Sequence, residues 1–357
     1  MAAEQHIASE EHSVIQQQNV GETMRVWEVA APAPIAEHPL RLVTRAVPEP
    51  GAGEVRIRVV VCGVCRTDLH LAEGDLPPRR AGVVPGHEVV GRVDKLGEGS
   101  SRFAVGERVG AAWLASACGV CEYCLSGREN LCVAPRFTGW DIDGGFADYM
   151  VANERFIYRL PARFDDEAVA PLLCAGIIGY RALCRAELPT GGRLGLYGFG
   201  GSAHLTAQVA LAQGATVHVI TRSAQDQALA RELGAASVGG PLDQPPEPLD
   251  SAILFAPVGT IVPTALAALR RGGTLAVAGI HLTDIPALNY EQHLFQERTL
   301  RSVTANTRAD GEEFLATADR IGIRPTTRAY AFEDLDKALY DLAYDRFSGA
   351  AVIRTNR

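Results

Sequence analysis

Four cysteines within a single short loop constrain this chain more than any other feature of its sequence. They follow the pattern C-x2-C-x2-C-x7-C, and they are Cys118, Cys121, Cys124 and Cys132. Four thiolates so close together can surround one tetrahedral zinc ion at little cost in chain entropy, and such a closed set leaves no open coordination position. We therefore predict a structural zinc site here, with an iron–sulfur cluster as the alternative.

Three more potential zinc ligands are dispersed along the chain: Cys65, His87 and Cys174. A catalytic zinc ion needs three protein ligands and one open position. Taken alone, each of these side chains is more often a buried packing residue, and their spacing does not establish that they meet. From the residues alone, they are therefore either the ligands of a second metal site or three separate buried packing residues.

Composition excludes several classes of protein. The 357 residues are 47% hydrophobic and 21% charged, which is typical of globular domains with their own cores. The net charge of −8 argues against nucleic acid or an anionic membrane as a partner. No apolar stretch is long enough to cross a bilayer, and the acidic first twenty residues are not typical of a secretory signal. We expect a cytoplasmic protein, whose eight cysteines are metal ligands or free thiols rather than disulfides.

The two leftover cysteines are given no role. Cys62 lies in an alternating strand and is predicted to pack as a small apolar side chain, and nothing distinguishes Cys184.

The pattern of the chain indicates a flexible extension and two domains. Residues 1–23 are predicted to be the extension. Glu54–Val59 alternates as a half-buried strand does, and frequent glycine and proline up to about Leu160 indicate a compact β-rich domain. Later strands alternate with helices, as in a doubly wound parallel sheet. The predicted strands are Arg193–Tyr197, Thr216–Ile220, Ser251–Val258 and Thr274–Ile280, and the predicted helices include His204–Gln213 and Gln225–Leu233. The β-rich domain is assigned 24–170 and 304–357, and the parallel-sheet domain 171–303.

Six segments in a fixed order resemble the zinc-dependent alcohol dehydrogenases of the medium-chain dehydrogenase/reductase superfamily. The resemblance runs from about Met24 to the C-terminus. It implies an α/β fold, with an N-terminal GroES-like β-rich catalytic domain and a doubly wound Rossmann cofactor domain. Besides the four-cysteine loop, the segments are CGVCRTDLH (62–70), GHEVVGRVDKLGEGS (86–100), FAVGERVG (103–110), DGGFADY (143–149) and PLLCAGIIGYRAL (171–183).

The resemblance implies two zinc ions per chain and a role for each residue near the second ion. The four-cysteine loop would hold the structural ion, and Cys65, His87 and Cys174 would hold the catalytic one, which acts as a Lewis acid on the substrate oxygen. Thr67, the cofactor ribose and His70 would form a proton relay. Asp68 would orient His87, and Glu88 would lie close enough to the metal to assist ligand exchange.

A glycine-rich turn between a predicted strand and a predicted helix fits the dinucleotide fingerprint. The turn comprises Gly198, Phe199, Gly200, Gly201 and Ser202. The resemblance adds Arg66 as a cation for the pyrophosphate, and backbone near Val258, Ile280 and Val303 as contacts of the nicotinamide amide. Relatives often carry threonine at the position of Ile178, so one polar contact with the nicotinamide is in doubt.

About twenty residues after the turn, an NAD enzyme carries an acidic residue, but this chain has Thr221, Arg222 and Ser223. Two hydroxyls and a guanidinium suit a 2′-phosphate, so NADP(H) is favoured over NAD(H). The alternative is that Arg222 stacks on adenine or faces solvent and NAD(H) is used.

Trp113, Trp140 and Ile142 are predicted to line an apolar substrate pocket, although the two tryptophans could equally be core residues.

The predicted function is interconversion of alcohols with aldehydes or ketones, the partner being a small molecule. The alternatives are a polyol or aryl-alcohol dehydrogenase of the same fold, and a catalytically silent zinc- or nucleotide-binding relative. The short stretch between Cys132 and Cys174 resembles the branch whose members are usually tetramers, so a homo-oligomer is expected, with a dimer possible.

Overall fold

The computed structural model describes residues 22–241 and 243–355 as a mixed α/β protein. The predicted extension lies outside the described residues, except that the first strand begins at Thr23, one residue before the expected start. The strands are β1 (Thr23–Val29), β2 (Leu40–Ala46), β3 (Glu54–Val64), β4 (Glu88–Leu96), β5 (Arg108–Ala111), β6 (Leu114–Ser116), β7 (Arg136–Phe137), β8 (Tyr149–Asn153), β9 (Ile157–Arg159), β10 (Arg193–Tyr197), β11 (Thr216–Ile220), β12 (Ser237–Gly239), β13 (Leu249–Leu254), β14 (Leu269–Val277), β15 (Thr299–Ser302), β16 (Thr327–Ala331) and β17 (Ala350–Arg354).

Ten α-helices are interleaved with these strands in the described part of the chain. They are α1 (Arg66–Glu73), α2 (Glu122–Leu125), α3 (Asp166–Val169), α4 (Ala175–Ala186), α5 (Gly201–Ala212), α6 (Ala224–Leu233), α7 (Val262–Ala267), α8 (Tyr290–His293), α9 (Arg308–Ile321) and α10 (Leu335–Ala343).

The N-terminal half is built on a sheet of seven strands. Six of them follow the order β16-β17-β3-β4-β5-β9, and β8 also pairs with β3. Strand β17 runs antiparallel to β3, so the end of the described chain completes the sheet begun by its first third. Alternate residues of β3, such as Val55, Ile57 and Val59, are buried in the core beneath this sheet.

The second sheet has six parallel strands in the order β12-β11-β10-β13-β14-β15. This is the doubly wound order 3-2-1-4-5-6, which confirms the predicted fold class. Four predicted elements differ at their ends. Strand β14 spans Leu269–Val277 rather than Thr274–Ile280, and helix α6 begins at Ala224 rather than Gln225. The helix that follows β10 begins at Gly201 rather than His204, because Gly200 already has the extended backbone of an N-cap. Strand β13 ends at Leu254 rather than Val258, because the backbone amides of Phe255 and Ala256 turn to the Tyr197 carbonyl.

Helix α9 packs on helices α4 and α5 of the parallel-sheet half, where the Phe314 ring lies against Gly176. The predicted domain boundaries at 170/171 and 303/304 stay predictions.

Within the residues that the structure describes, no single helix is both long and apolar enough to cross a membrane. One pair bent by 43°, Asp166–Leu173 with Ala175–Ala186, reaches those limits jointly by length and composition alone.

Candidate active site

Strand register brings Cys65 and His87 together. Gly63 at the end of β3 is paired with Glu88 at the start of β4, so Cys65 just after the one strand and His87 just before the other lie side by side. The Cys65 Sγ atom is 3.2 Å from His87 Nε2. Two residues that are 22 positions apart thus meet because their strands are antiparallel neighbours.

Cys174 completes the group from the start of helix α4. Its Sγ atom lies 3.3 Å from the same His87 Nε2. The potential ligand atoms of Cys65, His87, Cys174 and Glu88 all lie within 4.8 Å of one another. The structure therefore brings together the three residues that the sequence could not show to meet.

Asp68 supports this group from the first turn of helix α1. One of its oxygens accepts the Gly86 amide at 3.0 Å and lies 3.3 Å from His87 Nδ1, and the other accepts the Cys65 amide at 2.9 Å. His87 Nδ1 has no hydrogen-bond partner, so Asp68 acts on His87 mainly through its charge. Its two backbone hydrogen bonds hold the chain at Cys65 and directly before His87.

Glu88 is buried beneath the group, and its Oε2 atom has no hydrogen-bond partner. The space for it exists only because residue 63 is glycine, since a Cβ there would lie 1.8 Å from Glu88 Oε2. Burial raises the pKa of Glu88 well above its usual value. An unpartnered buried carboxyl group beside three potential ligands suits a site built around a cation.

The electrostatics of the group also favour a positive ion. A hydrogen bond from Cys174 lowers the pKa of the Cys65 thiol well below its usual value, and correspondingly raises that of Cys174. Burial lowers the pKa of His87, but Cys65 and Asp68 outweigh it and raise that pKa overall. Two thiols and an imidazole within contact distance, beside two carboxyls, are a donor set that fits zinc.

The four cysteines of the loop converge in the same way. Their ligand atoms lie within 4.8 Å of one another, and the Sγ atoms of Cys118 and Cys124 are 3.9 Å apart. Thiolates at 2.3 Å from a tetrahedral zinc ion would be about 3.8 Å apart. Backbone amides point at the sulfurs, which lowers the pKa of Cys121 to about 6. This donor set also fits zinc.

The two leftover cysteines are isolated from both groups. Cys62 is fully buried in the core of the seven-stranded sheet, where burial raises its pKa, whereas Cys184 lies at the surface on helix α4.

Thr67 and His70 lie one turn apart on helix α1, hence on the same face. Thr67 is buried beside the cysteine group, with its amide 3.3 Å from Cys65 Sγ. His70 lies further out, with its Nδ1 atom 2.9 Å from Asp75 and its ring centroid 5.2 Å from that of His281. Asp75 and His281 are neighbours of His70 that no sequence motif singles out.

The glycine-rich turn leaves room for a phosphate. A Cβ built on Gly200 would meet nothing within 4 Å, and no side chain caps the first turn of helix α5. Uncapped helical amides over open space are a fit for the pyrophosphate of a dinucleotide. Gly198, with φ of 89°, makes the turn that exposes them.

The residues after β11 are placed at the same edge of the sheet but are already engaged. Thr221 is buried, and the Ser223 hydroxyl caps helix α6 by accepting the Asp226 amide. Arg222 extends into solvent and pairs with Asp345 at 3.0 Å. The same Asp345 pairs with Arg66 at 2.6 Å.

Val258, Ile280 and Val303 follow the carboxyl ends of β13, β14 and β15, next to one another in the sheet. Val258 and Ile280 are exposed, and Val303 is half-buried. Ile178 is half-buried on helix α4.

Three aromatic rings are stacked beside the cysteine group. The ring centroid of Trp113 is 4.9 Å from that of Phe137 and 6.0 Å from that of Trp140, and its plane is nearly parallel to both. Its centroid is 5.0 Å from that of the His87 ring, in an edge-to-face arrangement. The indole N–H of Trp140 donates to the Pro77 carbonyl at 2.9 Å. Both tryptophans are half-buried and pack against a small buried cluster that contains Phe137, which the sequence did not indicate. Ile142 is also half-buried.

Comparison with known proteins agrees with this architecture. The chain matches the family described as "Alcohol dehydrogenase GroES-like domain" over residues 51–162 and the one described as "Zinc-binding dehydrogenase" over residues 201–320. It therefore belongs to the zinc-binding alcohol dehydrogenases of the medium-chain dehydrogenase/reductase superfamily, as its motifs predicted.

Individual relatives make the placement more specific. A probable alcohol dehydrogenase of Mycobacterium tuberculosis is 57% identical over 93% of this chain and 97% of its own length. The cinnamyl alcohol dehydrogenase structure from Sorghum bicolor is 30% identical, with a TM-score of 0.84 over 93% of this chain and 98% of its own. A dehydrogenase from Helicobacter pylori complexed with NADP(H) has the same fold at 24% identity, with a TM-score of 0.84 over 93% and 98% of the two chains.

Proposed function

We propose that this protein interconverts alcohols with aldehydes or ketones, using two bound zinc ions and a nicotinamide dinucleotide. The observation that carries the proposal is the convergence of Cys65, His87 and Cys174 beside a stack of aromatic rings and Thr67. When bound, zinc supplies Lewis acidity at the substrate oxygen, and the nicotinamide accepts or donates the hydride.

The side chains of helix α1 supply the proton path. The Thr67 hydroxyl both accepts and donates, so it can take the alcohol proton inside the pocket. His70, one turn further out, passes that proton to solvent, and Asp75 holds its imidazole at 2.9 Å. We propose Thr67 as the inner member of this path and His70 as the outer one.

NADP(H) is the proposed cofactor. Its support is the absence of an acidic residue at position 221 and the exposed guanidinium of Arg222 beside the Ser223 hydroxyl. Comparing kcat/KM for NADPH and NADH with one aldehyde tests it, and a clear preference for NADH would contradict it.

The aromatic stack favours one of the alternative substrate classes, flat aromatic alcohols. Trp113, Phe137 and Trp140 present nearly parallel faces, and a planar ring gains stacking energy on such faces that a puckered ring does not. Benzyl alcohol should therefore be oxidised with a higher kcat/KM than cyclohexylmethanol, which has the same number of carbon atoms. Equal values would remove the support for an aryl-alcohol dehydrogenase.

We also propose a homo-oligomer, a tetramer in preference to a dimer, located in the cytoplasm. Ile285, Tyr290 and Phe295 support an assembly, because they are exposed apolar side chains close along the chain to the edge strand β15. A reducing compartment suits eight cysteines that form no disulfide in the described part of the chain.

Metal content tests the central proposal. The purified protein should hold two zinc ions per chain, and Cys174→Ala should hold one and lose hydride transfer. Cys184→Ala, at an exposed cysteine on the same helix, is the matched control and should keep both ions. One zinc ion per chain in all three proteins would mean that only the four-cysteine loop binds metal, and would favour the catalytically silent alternative.

A further inference from the structure

Asp345 joins the two arginines that the proposed cofactor site depends on. Its Oδ1 atom lies 2.6 Å from Arg66 of helix α1, and its Oδ2 atom lies 3.0 Å from Arg222 after strand β11. The first of these cations is the proposed partner of the pyrophosphate, and the second is the proposed partner of a 2′-phosphate. One carboxylate therefore engages both cations at once.

The loop that carries Asp345 lies against the carboxyl ends of the parallel strands, next to the glycine-rich turn. We call this side of the sheet the nucleotide edge. The Ser348 hydroxyl donates to Asp226 on helix α6 at 3.0 Å, and a Cβ built on Gly201 would lie 3.7 Å from the Gly349 carbonyl oxygen. Asp345 thus belongs to a segment, between α10 and β17, that contacts both helix α6 and the glycine-rich turn.

We propose that Asp345 shifts cofactor preference towards NAD(H) by disfavouring dinucleotides that carry a 2′-phosphate relative to those with a 2′-hydroxyl. A phosphate must compete with the carboxylate for the Arg222 guanidinium and must also approach its negative charge. A ribose hydroxyl carries no charge and meets neither cost. The inference rests on the proposed function, because it assumes that the dinucleotide lies along this edge.

Asparagine is the suitable substitution at this position. Asp345 has φ of +50°, in the left-handed region that only glycine, asparagine and aspartate adopt readily. Asp345→Asn therefore keeps the backbone and the size of the side chain while it removes the charge.

Glu333→Gln is the matched control. Glu333 is as exposed as Asp345 (55% against 53%) and also pairs with an arginine, Arg25, at 2.8 Å, but it lies away from the nucleotide edge. Glu333→Gln removes the same unit of charge as Asp345→Asn, so any effect of net charge alone appears in both variants.

The experiment is a fluorescence titration of the zinc-loaded protein with NADPH and with NADH, without substrate. In Asp345→Asn the ratio of the NADH to the NADPH dissociation constant should rise about fivefold over the wild type, as expected for one exposed charge at contact distance. Glu333→Gln should keep the wild-type ratio. In competition, 2′,5′-ADP should gain affinity in Asp345→Asn relative to 5′-AMP.

A double-variant cycle with Arg222→Gln tests the route of the effect. Arg222→Gln should weaken NADPH more than NADH, and adding Asp345→Asn should then change the ratio less than it does alone. An Asp345→Asn protein that binds both dinucleotides more tightly, or both more weakly, by the same factor would overturn the proposal, since the carboxylate would then act on the pyrophosphate or on the fold. A wild type that prefers NADH would contradict the NADP(H) proposal alone, because the role of Asp345 is judged by the change in ratio.

Discussion

Single residues hold the proposed metal ligands in place through backbone as much as through side-chain contacts. Asp68 accepts the amides of Cys65 and Gly86 and also places its charge 3.3 Å from His87 Nδ1. Metal-binding histidines generally depend on such a partner for their orientation and basicity. The position of His87 is therefore set by a residue that binds no metal itself.

Asp68→Asn should accordingly weaken zinc at the Cys65–His87–Cys174 site by about 10- to 100-fold, as is usual for the loss of a histidine partner. Competition with a chromophoric chelator measures this affinity. Asp75→Asn is the matched control, because Asp75 pairs with His70 instead of His87, and it should keep wild-type zinc affinity. Equal zinc affinity in Asp68→Asn and the wild type would show that the charge of Asp68 has no part in holding the metal.

At the scale of elements, helix α5 connects the glycine-rich turn to the segment between α9 and β16, which leads back to the first sheet. His204 donates from Nδ1 to the Gly200 carbonyl at 3.2 Å and accepts the Thr326 amide at Nε2 at 3.4 Å. Gln208, one turn later, exchanges hydrogen bonds with the backbone of Arg324. The arrangement requires a neutral imidazole, and burial lowers the pKa of His204 to about 4.

This histidine should make the fold less stable in mild acid. Its folded-state pKa lies below the ordinary value of 6.5, so the unfolded chain takes up the proton first, and stability is lost as the pH falls from about 6.5 towards 4. Between pH 7 and pH 5 the loss attributable to His204 is about 2 kcal/mol. Urea unfolding at both pH values measures it.

The His204→Asn variant should lose correspondingly less stability between the two pH values, whatever its stability at pH 7. His38→Asn, at an exposed histidine, is the matched control for the loss of an imidazole. If His204→Asn and the wild type lose the same free energy of unfolding, the imidazole of His204 is not what makes the fold sensitive to acid.

At the scale of the whole molecule, the chain forms five strands of the first sheet, then all six strands of the parallel sheet, and finally adds β16 and β17 to the first sheet. Strand β17 pairs with β3, and the loop that precedes β17 lies against the nucleotide edge of the parallel sheet. The parallel sheet ends in the edge strand β15, and exposed apolar residues precede it along the chain. An uncovered edge of this kind is where a second copy of the chain would pair or pack.

Phe295→Asp should therefore lower the assembled mass, because it places a charge on an apolar contact surface. Sedimentation velocity of the zinc-loaded protein measures the mass. Val105→Asp is the control, since Val105 is also exposed but lies in the loop between β4 and β5, and it should leave the mass unchanged. A wild-type protein that sediments as a monomer would contradict the proposed assembly itself.

The sequence by itself determined the features that depend on local order along the chain. The strand–turn–helix of the cofactor turn was predictable because its periodicity and glycines are contiguous, and β10 and β11 have their predicted bounds. The four-cysteine loop was predictable because a short loop keeps its sulfurs near one another whatever surrounds it. The family was predictable from the order of its motifs.

Only the tertiary structure decided which distant residues meet. Cys65, His87 and Cys174 converge because β3 and β4 are antiparallel neighbours and helix α4 begins beside them, which no spacing in the sequence encodes. No acidic residue adjoins Arg222 in the sequence, yet Asp345 pairs with its guanidinium from a position 123 residues further along the chain. The reason is physical: hydrogen-bonded register and packing set distances in space, and they act between segments that are remote along the sequence.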